Sequence, residues 1–267
     1  MHNKKLKGGI AVLALSAVLV GGTFAWLGST DTVQNKFKTT QHETTMDGVD
    51  IWEKFTQDSE VRATLDTTDN KMKYNTIEKI VQVKNTAKYN SLIRVEMNPA
   101  FENSKLNNEK IILKESEFVK SEDFIEVGDD GKITNMDEVR GKWIKVQQNV
   151  TENEKPVAKT YYYYIGNVLP EGFTDKILNS VTLDNTVASN PNYINQKFNV
   201  NIDAYSVQST AEAVTDTGKG HDKGATGEHL GFGLDASIHE KLVKALQAVA
   251  NEDASTCTTN YNTSATN

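Results

Sequence analysis

The chain has 267 residues, 24% of them charged, with a formal net charge of −7. That length allows one large or two modest domains with a real core, and the acidic balance disfavours nucleic acid and anionic lipid surfaces as partners. A single cysteine, Cys257, excludes an intrachain disulfide, so the core must hold by packing.

The first 25 residues read as a signal peptide. Lys4, Lys5 and Lys7 give a cationic start, residues 8–25 carry no charge, and Ile10 to Val20 is almost entirely aliphatic or alanine. Thr23 and Ala25 then place small side chains at the −3 and −1 positions of a cleavage site, which makes Trp26 the expected mature N-terminus. The uncharged run is also close to the ~18–20 residues that can span a bilayer, so an uncleaved anchor at 8–25 is the alternative; Gly21 and Gly22 favour cleavage. Removing the leader lowers the formal charge to −10.

Residues 26–39 follow. Trp26, Leu27, Val33 and Phe37 sit in a polar, turn-poor stretch, and Val33 and Phe37 share one parity, so an extended chain shows both on one face. Two readings stand side by side: a first strand pairing within its own domain, or a donor strand held out for another subunit.

From residue 40 to 210 the pattern predicts a β-sandwich. Val49, Ile51 and Glu53 alternate with Asp50, Trp52 and Lys54. Ile77, Lys79, Val81 and Val83 share a parity, as do Ile93, Val95 and Met97, and the turn-rich residues 85–90 between them suggest an antiparallel pair with one buried face. Ile144, Val146 and Val150 alternate with Lys145 and Gln147. Phe198, Val200, Ile202 and Ala204 alternate with Asn199, Asn201 and Asp203, which places Val200 and Ile202 in the core. Strands rich in β-branched and aromatic residues, separated by turns, imply two stacked sheets.

Two stretches interrupt this pattern. Residues 98–141 are highly charged, with a turn at Gly128-Asp129-Asp130-Gly131, and read as an insertion carrying short helices or an extra hairpin. Residues 184–195 read as a loop or one helical turn.

Residues 211–234 form a linker whose glycine-rich run, 218–233, has too little apolar content to pack. Residues 235–251 predict an amphipathic helix with Ile238, Leu242, Ala245, Leu246 and Val249 on one stripe and Ser237 with Glu240 as a capping box. That helix could dock on its own domain or serve a partner. Residues 252–267 have the composition of a disordered tail. The expected fold class is all-β: an antiparallel two-sheet, jelly-roll-like sandwich with an inserted charged region and a flexibly linked C-terminal helix.

GGTFAW followed by STDTVQNKF resembles the export and maturation region of the TasA/camelysin family of Gram-positive bacteria. VQVKNTAKYNSLIRVEM (81–97) and FNVNIDAYSVQS (198–209) are similar to strands of that family, and YYYYIGNVLPEGFTDKILNSVTL (161–183) looks like its BsaA-type clostridial branch. The resemblance spans most of residues 20–210 and does not reach the C-terminal part. It implies a protein secreted to the extracellular matrix or cell surface, a dedicated signal peptidase as export partner, and assembly with copies of itself into biofilm-matrix fibres. Membrane contact is then transient, through the leader.

The camelysin branch is classed among metallopeptidases, so a secreted metalloprotease is the alternative. The zinc motif H-E-x-x-H needs two imidazoles one helical turn apart. His42-Glu43 is followed by Met46 and His239-Glu240 by Val243, so both lack the second ligand. His221, Asp222, Glu228 and His229 lie in the glycine-rich run, where nothing fixes a geometry. There is no G-x-S-x-G elbow and no phosphate-binding glycine loop. The run Tyr161–Tyr164 suggests a ligand platform, but strand alternation would put two rings in the core and two on the surface. Asp129 and Asp130 alone are too few for calcium. The sequence thus points to no catalytic residue, metal or cofactor.

Overall fold

The computed structural model describes residues 28–35, 48–55, 64–65, 72–73, 76–152, 155–187, 190–193, 196, 198–217, 231–250 and 252. In chain order the strands begin with β1 (Gly28–Asn35), β2 (Val49–Phe55), β3 (Thr64–Leu65), β4 (Met72–Lys73), β5 (Thr76–Asn85) and β6 (Ser91–Phe101). Then come β7 (Ile111–Glu115), β8 (Val119–Ser121), helix α1 (Met136–Val139), β9 (Trp143–Glu152) and β10 (Lys155–Tyr164). β11 (Leu178–Leu183), β12 (Phe198–Gln208) and helix α2 (Glu240–Ala250) complete the described strands and α-helices.

One sheet has the order β1-β12-β6-β10-β9-β8 and the other β2-β5-β11-β7, while β3 and β4 pair with each other. The only parallel pairing among the described strands is β8 with β9. The fold is an all-β sandwich.

Alternation decides what the two sheets bury between them. Val200, Ile202 and Ala204 of β12 and Ile93, Val95 and Met97 of β6 share one core with Val49 and Ile51 of β2, Val81 and Val83 of β5, and Leu178 and Val181 of β11. Stacked sheets of this kind interdigitate their facing side chains. The expected core positions Val200 and Ile202 are both buried.

The expected antiparallel pair of residues 77–83 with 93–97 does not form. β5 belongs to the four-stranded sheet and β6 to the six-stranded one, so the chain crosses the sandwich between them. Asn85 organises the crossing. Its Nδ2 donates to the carbonyls of Tyr89 and Val168, both at 2.8 Å, and its Oδ1 accepts from Ala87 N at 2.9 Å. The backbone of Thr86 is tied back to the Gly48 carbonyl at 3.0 Å. Those bonds turn the chain toward the second layer instead of folding it back on itself.

Residues 98–141 carry the expected short helices, at Asn108–Lys110, Glu122–Phe124 and Met136–Val139, and also contribute strands to the sandwich. They begin inside β6 and supply β7 and β8, the outermost strands of the two sheets at one side. The Gly128–Gly131 turn is present, with Gly131 N donating to the Gly128 carbonyl at 2.8 Å. Gly131 has φ 78, a conformation glycine adopts without steric cost. The stretch before β12 holds short 3-10 turns at Asn185–Val187 and Pro191–Tyr193, as the sequence suggested.

A third layer corrects two further expectations. Helix α2 lies over the outer face of the six-stranded sheet, where Leu242, Val243, Ala245, Leu246 and Val249 pack with Leu92, Ile144, Val146, Tyr161, Tyr163 and Val207. Of the two readings of this helix, docking on its own domain is the one observed. All four tyrosines of 161–164 are consequently buried: Tyr162 and Tyr164 point between the sheets, and Tyr161 and Tyr163 point under the third layer. Alternation holds, but both faces of β10 are covered over these four residues.

The end of the glycine-rich run packs as well. Phe232 and Leu234 are buried, and the Phe232 ring meets Tyr163 edge-on at 5.2 Å. Ile238, expected on the apolar stripe, is 70% exposed because it precedes the helix proper. Glu252, expected in the disordered tail, is held by Arg140 through Nε–Oε2 at 2.8 Å and Nη2–Oε1 at 2.6 Å.

Candidate functional site: the edge of the six-stranded sheet

β1 is the outermost strand of the larger sheet. It pairs antiparallel with β12 in an unbroken ladder from Gly28↔Val207 to Asn35↔Val200, with Val33 opposite Ile202. On its other side β12 is held by β6 from Phe198↔Phe101 to Gln208↔Ser91. Among the described strands, β1 therefore has one neighbour and β12 has two.

The smaller sheet has β2 at the same side, and β1 and β2 approach within 8 Å between Cα atoms. Residues 36–48 join them. Thirteen residues can span roughly 45 Å when extended.

Of the residues singled out in the sequence, only Val33 falls in this described ladder. Thr23, Ala25, Trp26, Leu27 and Phe37 lie outside the described residues. The described part of that stretch, Gly28–Asn35, pairs with β12 of the same chain.

The candidate catalytic and metal residues are engaged in structural contacts or lie outside the description. His239 is buried, with Nδ1 3.0 Å from Glu122 Oε2. Its sequence neighbour Glu240 forms an i,i+4 ion pair with Lys244 at 2.7 Å. Asp130 Oδ1 accepts from Lys132 N at 3.0 Å, closing its own turn. His2, His42, His221, His229 and Cys257 lie outside the described residues. Among the described residues, no three histidine, cysteine or carboxylate side chains gather in a metal-binding group. No helix among them is long and apolar enough to cross a membrane.

The tyrosine run serves structure. Tyr162 OH donates to Glu115 Oε1 at 2.7 Å, and Lys145 Nζ reaches the same oxygen at 2.6 Å, which ties β7 of one sheet to β9 and β10 of the other. Burial, reinforced by Glu115, pushes the Tyr162 hydroxyl far above its ordinary value. Tyr164 OH donates to Asp175 Oδ2 at 2.8 Å, and Trp143 Nε1 donates to the Asp175 carbonyl at 2.8 Å.

Sequence reasoning missed two arrangements. Arg94 lies among aromatic rings, 4.5 Å from Tyr161, 4.6 Å from Tyr205 and 5.4 Å from Phe232, a stacking that suits the planar guanidinium. Lys79 and Glu53 form an ion pair at 2.9 Å, with both side chains over nine-tenths buried. The signal for that pair was their shared parity with apolar neighbours on β2 and β5, which places both on the inward face.

No family model matches the chain, and neither a curated protein nor a solved structure matches it.

Proposed function

We propose that the protein is a secreted structural subunit of extracellular biofilm-matrix fibres, a jelly-roll-like sandwich that polymerises head-to-tail through its mature N-terminal strand. The observation that carries this reading is the placement of β1. Among the described strands it comes first in the chain, sits at an edge of the sheet and has a single strand neighbour, and thirteen residues separate it from β2. A strand so placed can leave its own sheet and add to the β12 edge of another copy with the same ladder.

Main-chain hydrogen bonds supply the affinity in such an exchange, and alternate side chains set the register. Val33 occupies the position opposite Ile202, with Phe37 as the second pocket residue and Trp26 and Leu27 as anchors at the far end. Donor and acceptor surfaces differ, so the contact is heterologous and continues as a filament. Cleavage after Ala25 sets the timing, because a strand still joined to a membrane-held leader has restricted reach. The resemblance of residues 20–210 to TasA-type proteins supports the same reading.

The test is deletion of residues 26–39 from the mature protein, followed by electron microscopy and peptide binding. The shortened protein should stop forming filaments and should bind a synthetic 26–39 peptide. Filaments formed as before, or a full mature protein that forms none, would end this reading.

A further inference from the structure

The two buried clusters of the protein share no residue. The one between the sheets draws on nothing beyond Ala204. Every described strand lies between Gly28 and Gln208. The sandwich therefore has its own core and its own hydrogen-bonded ladders, and the third layer contributes to neither.

The layer is held in a different way. Its apolar contact is one face of α2 together with Phe232 and Leu234. Its polar ties lie mostly at its two ends. Phe232 N and Leu234 N donate to the carbonyls of Ala213 and Val214 at 2.8 and 3.1 Å. Glu122 meets the start of α2 through His239 and the Leu242 N–H. Beyond the far end, Arg140 grips the Glu252 carboxylate, and Asn167 Nδ2 donates to the Glu252 carbonyl at 3.2 Å. Between these ends Gln247 Nε2 donates to the Ala211 carbonyl at 3.3 Å.

Proteins open in cooperative units, and elements that share no ladder with the rest open at a lower free energy than the whole. We propose that the third layer is a lid, which lifts from the six-stranded sheet as one unit while the sandwich stays folded, with Glu122 and Arg140 as its latches. Both latches come from the charged stretch 98–141, so that stretch frames the lid as well as lending strands to the sheets. Lifting bares Tyr161 and Tyr163, which the closed layer buries. The lid does not depend on β1, which pairs with β12 at the edge of the sheet.

Native-state amide exchange on the purified full chain, in denaturant kept below the unfolding transition, tests it. The amides of Ala245, Leu246 and Val249 should share one opening. Its denaturant dependence should be smaller than that of β6 and β12 amides, because less surface is exposed. Ile202→Val separates the two events. Ile202 belongs to the core between the sheets, which the lid does not touch, so its trimming should speed β6 and β12 exchange several-fold and leave α2 unchanged. Arg140→Ala should speed α2 exchange several-fold. Equal denaturant dependence in α2 and β12, or an α2 that speeds with the strands in Ile202→Val, overturns the proposal, since either shows that the layer opens only when the whole molecule unfolds. Separate openings at the three α2 residues would mean fraying in place of a lid, and exchange indifferent to Arg140→Ala would remove the latch; each overturns it as well.

Discussion

Glu122 holds helix α2 with both carboxylate oxygens: Oε2 lies 3.0 Å from His239 Nδ1, and Oε1 accepts the Leu242 backbone N–H at 3.2 Å. The second bond is a helix cap supplied from outside the helix. It replaces the capping box expected from Ser237 and Glu240, since Ser237 is instead bonded to Asp235 Oδ1 through both its N–H and its hydroxyl. Truncating a side chain that caps a helix costs about 0.5–2 kcal/mol. Glu122→Ala should therefore lower unfolding stability by about 1–2 kcal/mol and speed amide exchange in the first turn of α2. Unchanged exchange there would show that the helix is held by its apolar face alone.

Phe232 tests the third layer. Its ring packs against Tyr163 and the Arg94 guanidinium, and its N–H donates to the Ala213 carbonyl at 2.8 Å. Losing a buried phenylalanine costs roughly 3–5 kcal/mol, and Phe232→Ala should fall near the low end because the side chain lies at the rim of the cluster. A loss below about 0.5 kcal/mol in a denaturant melt would mean that this segment contributes no packing, a value typical of surface substitutions.

Ile202 tests the sandwich core. It is fully buried on β12, between the ladders to β1 and β6. Ile202→Ala should cost roughly 2–5 kcal/mol, read as a shift of the denaturant midpoint without a change in slope. The same substitution at the exposed Ile238 should change stability by no more than about 0.5 kcal/mol.

Alkaline titration tests the tyrosines. Burial raises the hydroxyls of Tyr161, Tyr162, Tyr163 and Tyr205 above their ordinary value of 10.0. A group whose folded pKa is raised contributes stability that is complete below the unfolded pKa and is lost as pH rises toward the folded one. The melting midpoint should accordingly fall once the pH passes about 10. Phenolate absorbance from these rings should appear together with unfolding. Tyr162→Phe should weaken the protein at neutral pH by about 1 kcal/mol, the worth of its bond to Glu115, and make the alkaline decline shallower. Phenols that all titrate near 10 in a still-folded protein would contradict their burial.

The alternation of β12, β2 and β5 was visible in the sequence because a strand's two faces differ when one meets a core and the other meets water. The same local rule marked Val200 and Ile202 as buried, and the charged turn at Gly128–Gly131 followed from its glycines. Alternation also identified the candidate strand around Val33, but not whose sheet it enters, since an edge offers the same hydrogen bonds to any extended chain.

What only the tertiary structure decided were the choices among partners. Residues 77–83 and 93–97 look like a hairpin until Asn85 is seen bonded to Val168, a residue 83 positions away. Tyr161 and Tyr163 look half-exposed until helix α2, which begins only at Glu240, is placed over them. Glu122 carries no local mark of a cap, because its helix begins more than 100 residues later. Local periodicity records that a face is covered or bare; it holds no information about which distant segment does the covering, and that is settled when non-local contacts repay the chain entropy of closing long loops.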